Sequence, residues 1–231
     1  VQGRTSALGR FLVPVSDCSF SMEQTLSNLQ RDPYPCNPGE RPARSTGPAI
    51  SIALSLLECS APRQGSRIML FISGPPTNGP GAIVSKSRTE NIRSHLDLKK
   101  NQAPMHKPAL KFYEGLSDRA IANAIVFDCL ACSLDQVGTL ELRPLISRTN
   151  GLFVLADKFG QSVFRESLRR IFERDAAGNL AMGFGGQIDV ICSRDFKIGG
   201  AIGPCASLKK AGPTVSEVEV GVGGTTSWYL G

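Results

Sequence analysis

Residues 67–73 and 125–132 are nearly continuous apolar runs of strand length, not alternating ones. A strand with one wet face alternates apolar and polar side chains. A run without alternation has to be covered on both faces, as parallel strands between helices are. This feature excludes an all-helical bundle and a one-sided antiparallel sheet for this part of the chain.

The flanking segments supply the helices. Residues 46–59 read as a helix, with Ser45 or Thr46 as cap, Pro48 in the first turn, and Ile50, Ala53, Leu54 and Leu57 on one face. Residues 109–123 follow the same period through Leu110, Tyr113, Leu116, Ala120 and Ile121. A short helix is expected over 137–147 despite Pro144, then an Asn150-Gly151 turn and a third strand over 152–156. Residues 161–174 form an amphipathic pattern that would bury Val163, Phe164, Leu168, Ile171 and Phe172. Helix and strand in strict alternation call for an α/β fold with a doubly wound sheet.

Upstream, residues 11–15 look strand-like, and 21–29 carry Met22, Leu26 and Leu29 at helical spacing. Pro33, Pro35, Pro38 and Pro42 force an extended loop between them and the first long helix. After Asp175 the helical period stops. Residues 187–192, 196–202, 216–221 and 225–230 read as short strands split by Gly and Pro, as in part of an antiparallel sandwich. The sequence therefore divides into an α/β unit at 1–181 and sandwich strands at 182–231, with the boundary near 182–186. The chain starts at Val1 and stops at Gly231 in what reads as a strand, so a piece of a longer protein is expected.

Composition narrows the function classes. Apolar residues make up 41% and charged residues 20%, with mean hydropathy −0.05, which is ordinary globular composition. No run approaches the roughly 20 apolar residues of a membrane span. The seven cysteines are odd in number and widely spaced, which suits a reducing compartment and thus the cytoplasm. A net charge of +6 favours anionic surfaces or acidic partners, but few aromatics interleave with the basic residues, so nucleic acid is not expected.

Motifs that carry chemistry are sparse. Cys129 and Cys132 form a CxxC, but inside an apolar strand whose alternation sends them to opposite faces, so they read as buried structural cysteines. His95 and His106 are the only histidines and read as surface residues. The loop Ser73-Gly74-Pro75-Pro76-Thr77-Asn78-Gly79-Pro80-Gly81 ends a buried strand, where open α/β sheets place ligands. It lacks the Lys-Ser/Thr ending of a phosphate loop, and its prolines remove N–H donors. A metal-binding sheet of von Willebrand A type would often place an Asp at this strand end, where Ser73-Gly74 stands instead.

Six collinear segments carry a resemblance. They are Arg31-Asp32-Pro33 with Arg41-Pro42-Ala43-Arg44-Ser45-Thr46-Gly47, then Ala61-Pro62 through Ile68-Met69-Leu70-Phe71-Ile72-Ser73-Gly74-Pro75, and Leu134-Asp135-Gln136-Val137-Gly138. Met182-Gly183-Phe184-Gly185-Gly186, Lys197-Ile198-Gly199-Gly200-Ala201-Ile202-Gly203-Pro204 and Glu219-Val220-Gly221-Val222-Gly223-Gly224-Thr225-Thr226-Ser227-Trp228 complete the set. In order and spacing these strings resemble the Sec-twenty-three family, the GTPase-activating subunit of the COPII inner coat. The paralogous cargo-binding subunit fits them less well.

The resemblance implies a trunk with an incomplete von Willebrand A-like sheet, followed by incomplete β-sandwich strands. It implies a coat scaffold of ER-to-Golgi vesicle transport, peripheral on the ER membrane and on COPII vesicles. The implied partners are the cargo-binding inner-coat subunit, a Sar-type small GTPase and outer-coat subunits. The family's zinc ribbon lies upstream and its catalytic arginine downstream, so no catalytic, cofactor or metal residue is carried onto this sequence. An arginine finger needs a rigid, correctly placed support, and residue type alone nominates none. Lys197, Lys209 and Lys210 are the nominees for facing anionic lipid. The competing readings are a stand-alone von Willebrand A-type ligand-binding module and a phosphate-binding enzyme using residues 73–81.

Overall fold

A computed structural model of the chain describes residues 12–231. Its centre is β2 (Ile125–Cys132), every residue of which is buried. On one side it pairs in parallel with β1 (Ser66–Ile72), and on the other with β3 (Phe153–Ala156). The continuous apolar run is thus the middle strand of a parallel sheet, as its pattern requires.

Alternation along β2 builds two cores. Ile125, Phe127, Cys129 and Ala131 face α2 (Thr46–Ser60), α4 (His106–Ala122) and α5 (Thr139–Arg148), against Ile50, Leu54, Tyr113 and Leu145. Leu130 and Cys132 face the other way, onto Phe164 and Ile171 of α6 (Ser162–Ile171). Helices therefore cover both faces of a mixed α/β layer. Among the described residues the remaining helices are α1 (Val15–Ser27) and the short α3 (His95–Lys99), which opens on a capping box between Ser94 and Asp97.

Several sequence expectations shift. Phe11 lies outside the described residues; residues 12–14 form no strand, and Val15 already begins α1, with Pro14 as N-cap. Pro14 cannot donate to a ladder, while it suits a helix start. Met22 and Leu26 are exposed, and no residue of α1 is buried. Val163 and Phe172 are exposed rather than buried. Phe164, Leu168 and Ile171 share one stripe, Val163 lies off it, and Phe172 falls past the helix end.

The downstream portion is less regular than its sequence suggests. A separate antiparallel sheet has the order β4 (Gln187–Asp189), β6 (Ser227–Tyr229), β5 (Ala206–Ser207). Residues 196–202 make only isolated bridges, Ile198 with Val215 and Ala201 with Val222, and 216–221 lie between those two partners without a bridge of their own. The glycines explain it: Gly200 has φ +146° and Gly221 φ +67°, which break the pleat. A Cβ at Gly200 would also run into the Val220 carbonyl oxygen, so two backbones pass there too closely for any side chain.

Candidate functional site

The parallel strands β1 and β2 end together at Ile72 and Cys132, and the segments that follow them form a cleft. This is the end of an open α/β sheet where ligands are usually held. The cleft has a volume of about 530 Å³ and takes Ser73 and Gly74 from the end of β1, and Ser133 and Asp135 from the end of β2. Arg41, Arg44 and Arg88, with Pro42 and Pro75, complete its lining.

Local pairing explains how three arginines converge. The turn Asn37–Glu40 sends the chain back along residues 86–88. Arg41 N–H donates to the Lys86 carbonyl, Arg88 N–H donates to the Gly39 carbonyl at 2.9 Å, and Glu40 bridges Ser87. The Arg41 guanidinium is anchored on the Ser85 and Ser87 carbonyls. Arg44 is half-buried and lies across Gly74, so close that a Cβ there would meet its Cζ at 2.8 Å. Arg41 and Arg44 are neighbours in the sequence, but Arg88 joins them only through the pairing of two irregular segments, which leaves no periodic signal.

The Gly/Pro loop after β1 is structural. Residues 74–77 are buried. Thr77 N–H and Asn78 N–H both donate to the Arg44 carbonyl, at 3.1 and 3.2 Å. The Thr77 hydroxyl accepts from Arg44 N–H at 2.9 Å and donates to the Pro42 carbonyl at 2.7 Å. The Thr77 and Asn78 amides are thus spent on the chain itself, and Pro75, Pro76 and Pro80 have none to offer a phosphate. Nor does the cleft fit a hard cation, since it sets one carboxylate, Asp135, against three guanidiniums. Among the described residues, no three His, Cys, Asp or Glu side chains cluster as metal ligands would.

Two buried carboxylates went unrecognised in the sequence. Asp128 accepts from Arg67 Nε at 2.9 Å and Nη2 at 2.6 Å, and from Leu152 N–H at 2.8 Å, which ties β2 to β1 and to the residue that leads into β3. Glu141, fully buried on α5, accepts from Arg93 Nε and Nη2 at 2.7 and 2.6 Å and meets His106 Nδ1 at 2.7 Å. Burial pushes its carboxyl up, but the hydrogen bonds from Arg93 and His106 and the Arg93 charge outweigh that and hold it below the ordinary value. His106 is therefore half-buried and paired rather than a free surface residue, while His95 is exposed. These contacts fasten the segment before α3 to α4 and α5.

Cys129 and Cys132 sit on opposite faces of β2, in the two separate cores. Burial, helped by the Asp128 charge, pushes the Cys129 thiol up to about 12, and burial also raises Cys132. Neither is a thiolate nucleophile at neutral pH. Lys197, Lys209 and Lys210 are all exposed. Lys209 and Lys210 follow β5, and Lys210 Nζ pairs with Asp189 at 3.2 Å. Lys197 Nζ donates to the Pro213 carbonyl on a different loop. No helix among the described residues is long and apolar enough to cross a membrane.

Comparison with known proteins places the chain. Residues 5–172 match the family model described as Sec23/Sec24 trunk domain. Over 227 residues the chain is 44% identical to "Protein transport protein SEC23 F" of Arabidopsis thaliana. That match takes in 98% of this chain and 29% of the relative's length.

Proposed function

The chain belongs to the Sec23/Sec24 trunk domain family, and from that premise we propose that it works as a scaffold segment of a COPII-type vesicle coat in ER-to-Golgi protein transport. The observation that carries the reading is the collinear 44% identity across 98% of the chain to a relative named as a protein transport protein. In this reading the parallel layer is a von Willebrand A-like trunk. It pairs with the cargo-binding inner-coat subunit, contacts a Sar-type small GTPase and engages outer-coat subunits. The parent protein activates the GTPase, with its arginine finger and its zinc ribbon outside these residues. The assembly lies peripherally on anionic ER membrane, with Lys197, Lys209 and Lys210 turned toward lipid.

The chemistry of the chain supports a binding role. Its buried carboxylates are bonded to arginines, its CxxC thiols are buried, and its Gly/Pro loop is closed on Arg44. A stand-alone metal-dependent module is disfavoured by the arginine-lined sheet end.

The test is GTP hydrolysis by the Sar-type GTPase of the same organism. Full-length protein containing this chain is expected to accelerate hydrolysis, and the 231-residue chain alone to leave it at the basal rate. Acceleration by the chain alone would overturn the placement of the catalytic arginine.

A further inference from the structure

We propose that the cleft beyond the ends of β1 and β2 is a docking site for an acidic peptide segment of a partner protein, whose carboxylate is gripped by Arg44 and Arg88. A guanidinium has only donors, and a fork of them matches a carboxylate in two parallel hydrogen bonds. Among the described residues, neither the Arg44 nor the Arg88 side chain has a hydrogen bond or an ion pair within the chain. Arg44 is moreover half-buried across Gly74, so its fork is held in place before any ligand arrives. Arg41 is already fixed on backbone carbonyls and adds charge rather than reach.

The same surroundings select a carboxylate over a phosphate. A phosphate site at such a strand end draws on free backbone amides. Of the amides near this strand end, those of Thr77 and Asn78 are bound to the Arg44 carbonyl and that of Ser133 to the Ala156 carbonyl, and Pro75 has none. Asp135 N–H is bound to the Ser133 hydroxyl, and Gln136 N–H to the Asp135 carboxylate. The Asp135 carboxylate also stands in the cleft and opposes a dense, multiply charged group more than a single carboxylate. A volume of about 530 Å³ admits one acidic side chain with its flanking backbone. Where a metal-dependent sheet would capture an acidic side chain through a divalent cation, this one offers guanidiniums at the same sheet end.

The inference stands on the cleft alone, so its failure leaves the coat reading intact. The probe is a fluorescein-labelled hexaglutamate peptide, followed by fluorescence anisotropy with the 231-residue chain. Arg88→Glu alone, and together with Arg44→Glu, is expected to weaken binding about tenfold or more. Lys107→Glu with Lys111→Glu, an equal charge change on the exposed face of α4, is expected to change it less than about twofold. If Arg44→Glu fails to fold, Arg88→Glu and the milder Arg44→Gln still read the site. Equal losses in both sets, no binding by the unaltered chain, or displacement of the peptide by an equimolar amount of inorganic phosphate would each overturn the proposal.

Discussion

Glu141 shows how a buried charge is made tolerable and what that costs in acid. The carboxylate has no exposed surface, and Arg93, whose side chain is 9% exposed, binds both of its oxygens. Replacing it by Gln leaves Arg93 buried without a counter-charge, for an expected loss of about 3 kcal/mol near neutral pH. Because the folded carboxyl is held below the ordinary 4.5, its contribution is complete above that value and is lost as pH falls through the lower folded one. Urea unfolding of the two proteins between about pH 7 and about pH 3 is therefore expected to show a gap that narrows in acid. A gap independent of pH would contradict the pairing. The cysteines give a second test at this scale. Cys36 and Cys59 are exposed, Cys129 and Cys132 buried with raised thiols. Iodoacetamide followed by site-resolved mass spectrometry is expected to label the first pair in the folded chain and the second only after unfolding. Opposite-face burial of the CxxC was legible from strand alternation. The Arg67–Asp128 and Arg93–Glu141 pairs were not, because each partner comes from a different element and no local spacing marks it.

At the scale of elements, legibility followed burial. The strand at β2 could be bounded from the sequence because a run covered on both faces has no exposed position to blur it. Helix α6 was recognised, but its buried stripe was drawn too wide, taking in Val163 and Phe172. That difference is measurable. Phe164→Ala removes a ring packed between α6 and the sheet and is expected to cost about 3–5 kcal/mol. Val163→Ala, at a 65% exposed position, is expected to stay within about 0.5 kcal/mol. Thermal or urea unfolding of both variants decides it, and similar losses would return Val163 to the core. The strands expected at 196–202 and 216–221 failed for the opposite reason. Alternation without a partner of matching register does not make a strand, and Gly200 and Gly221 turn the backbone out of the pleat.

For the whole molecule, the family was legible because several strings kept their order and spacing, although none of them carries chemistry alone. The cleft of Arg41, Arg44 and Arg88 was not, since it exists only once the proline-rich segment folds back along residues 86–88. A fold that satisfies its buried carboxylates internally and leaves the Arg44 and Arg88 guanidiniums without partners among the described residues is suited to binding. The central claim is that this chain is a partner-binding trunk segment of a vesicle coat. It is tested most directly by mixing the purified chain with the cargo-binding inner-coat subunit of the same organism and resolving the mixture by size-exclusion chromatography with light scattering. A one-to-one complex is predicted. Separate elution of two folded proteins at concentrations of about 10 μM, above the dissociation constants of standard-sized interfaces, would contradict it.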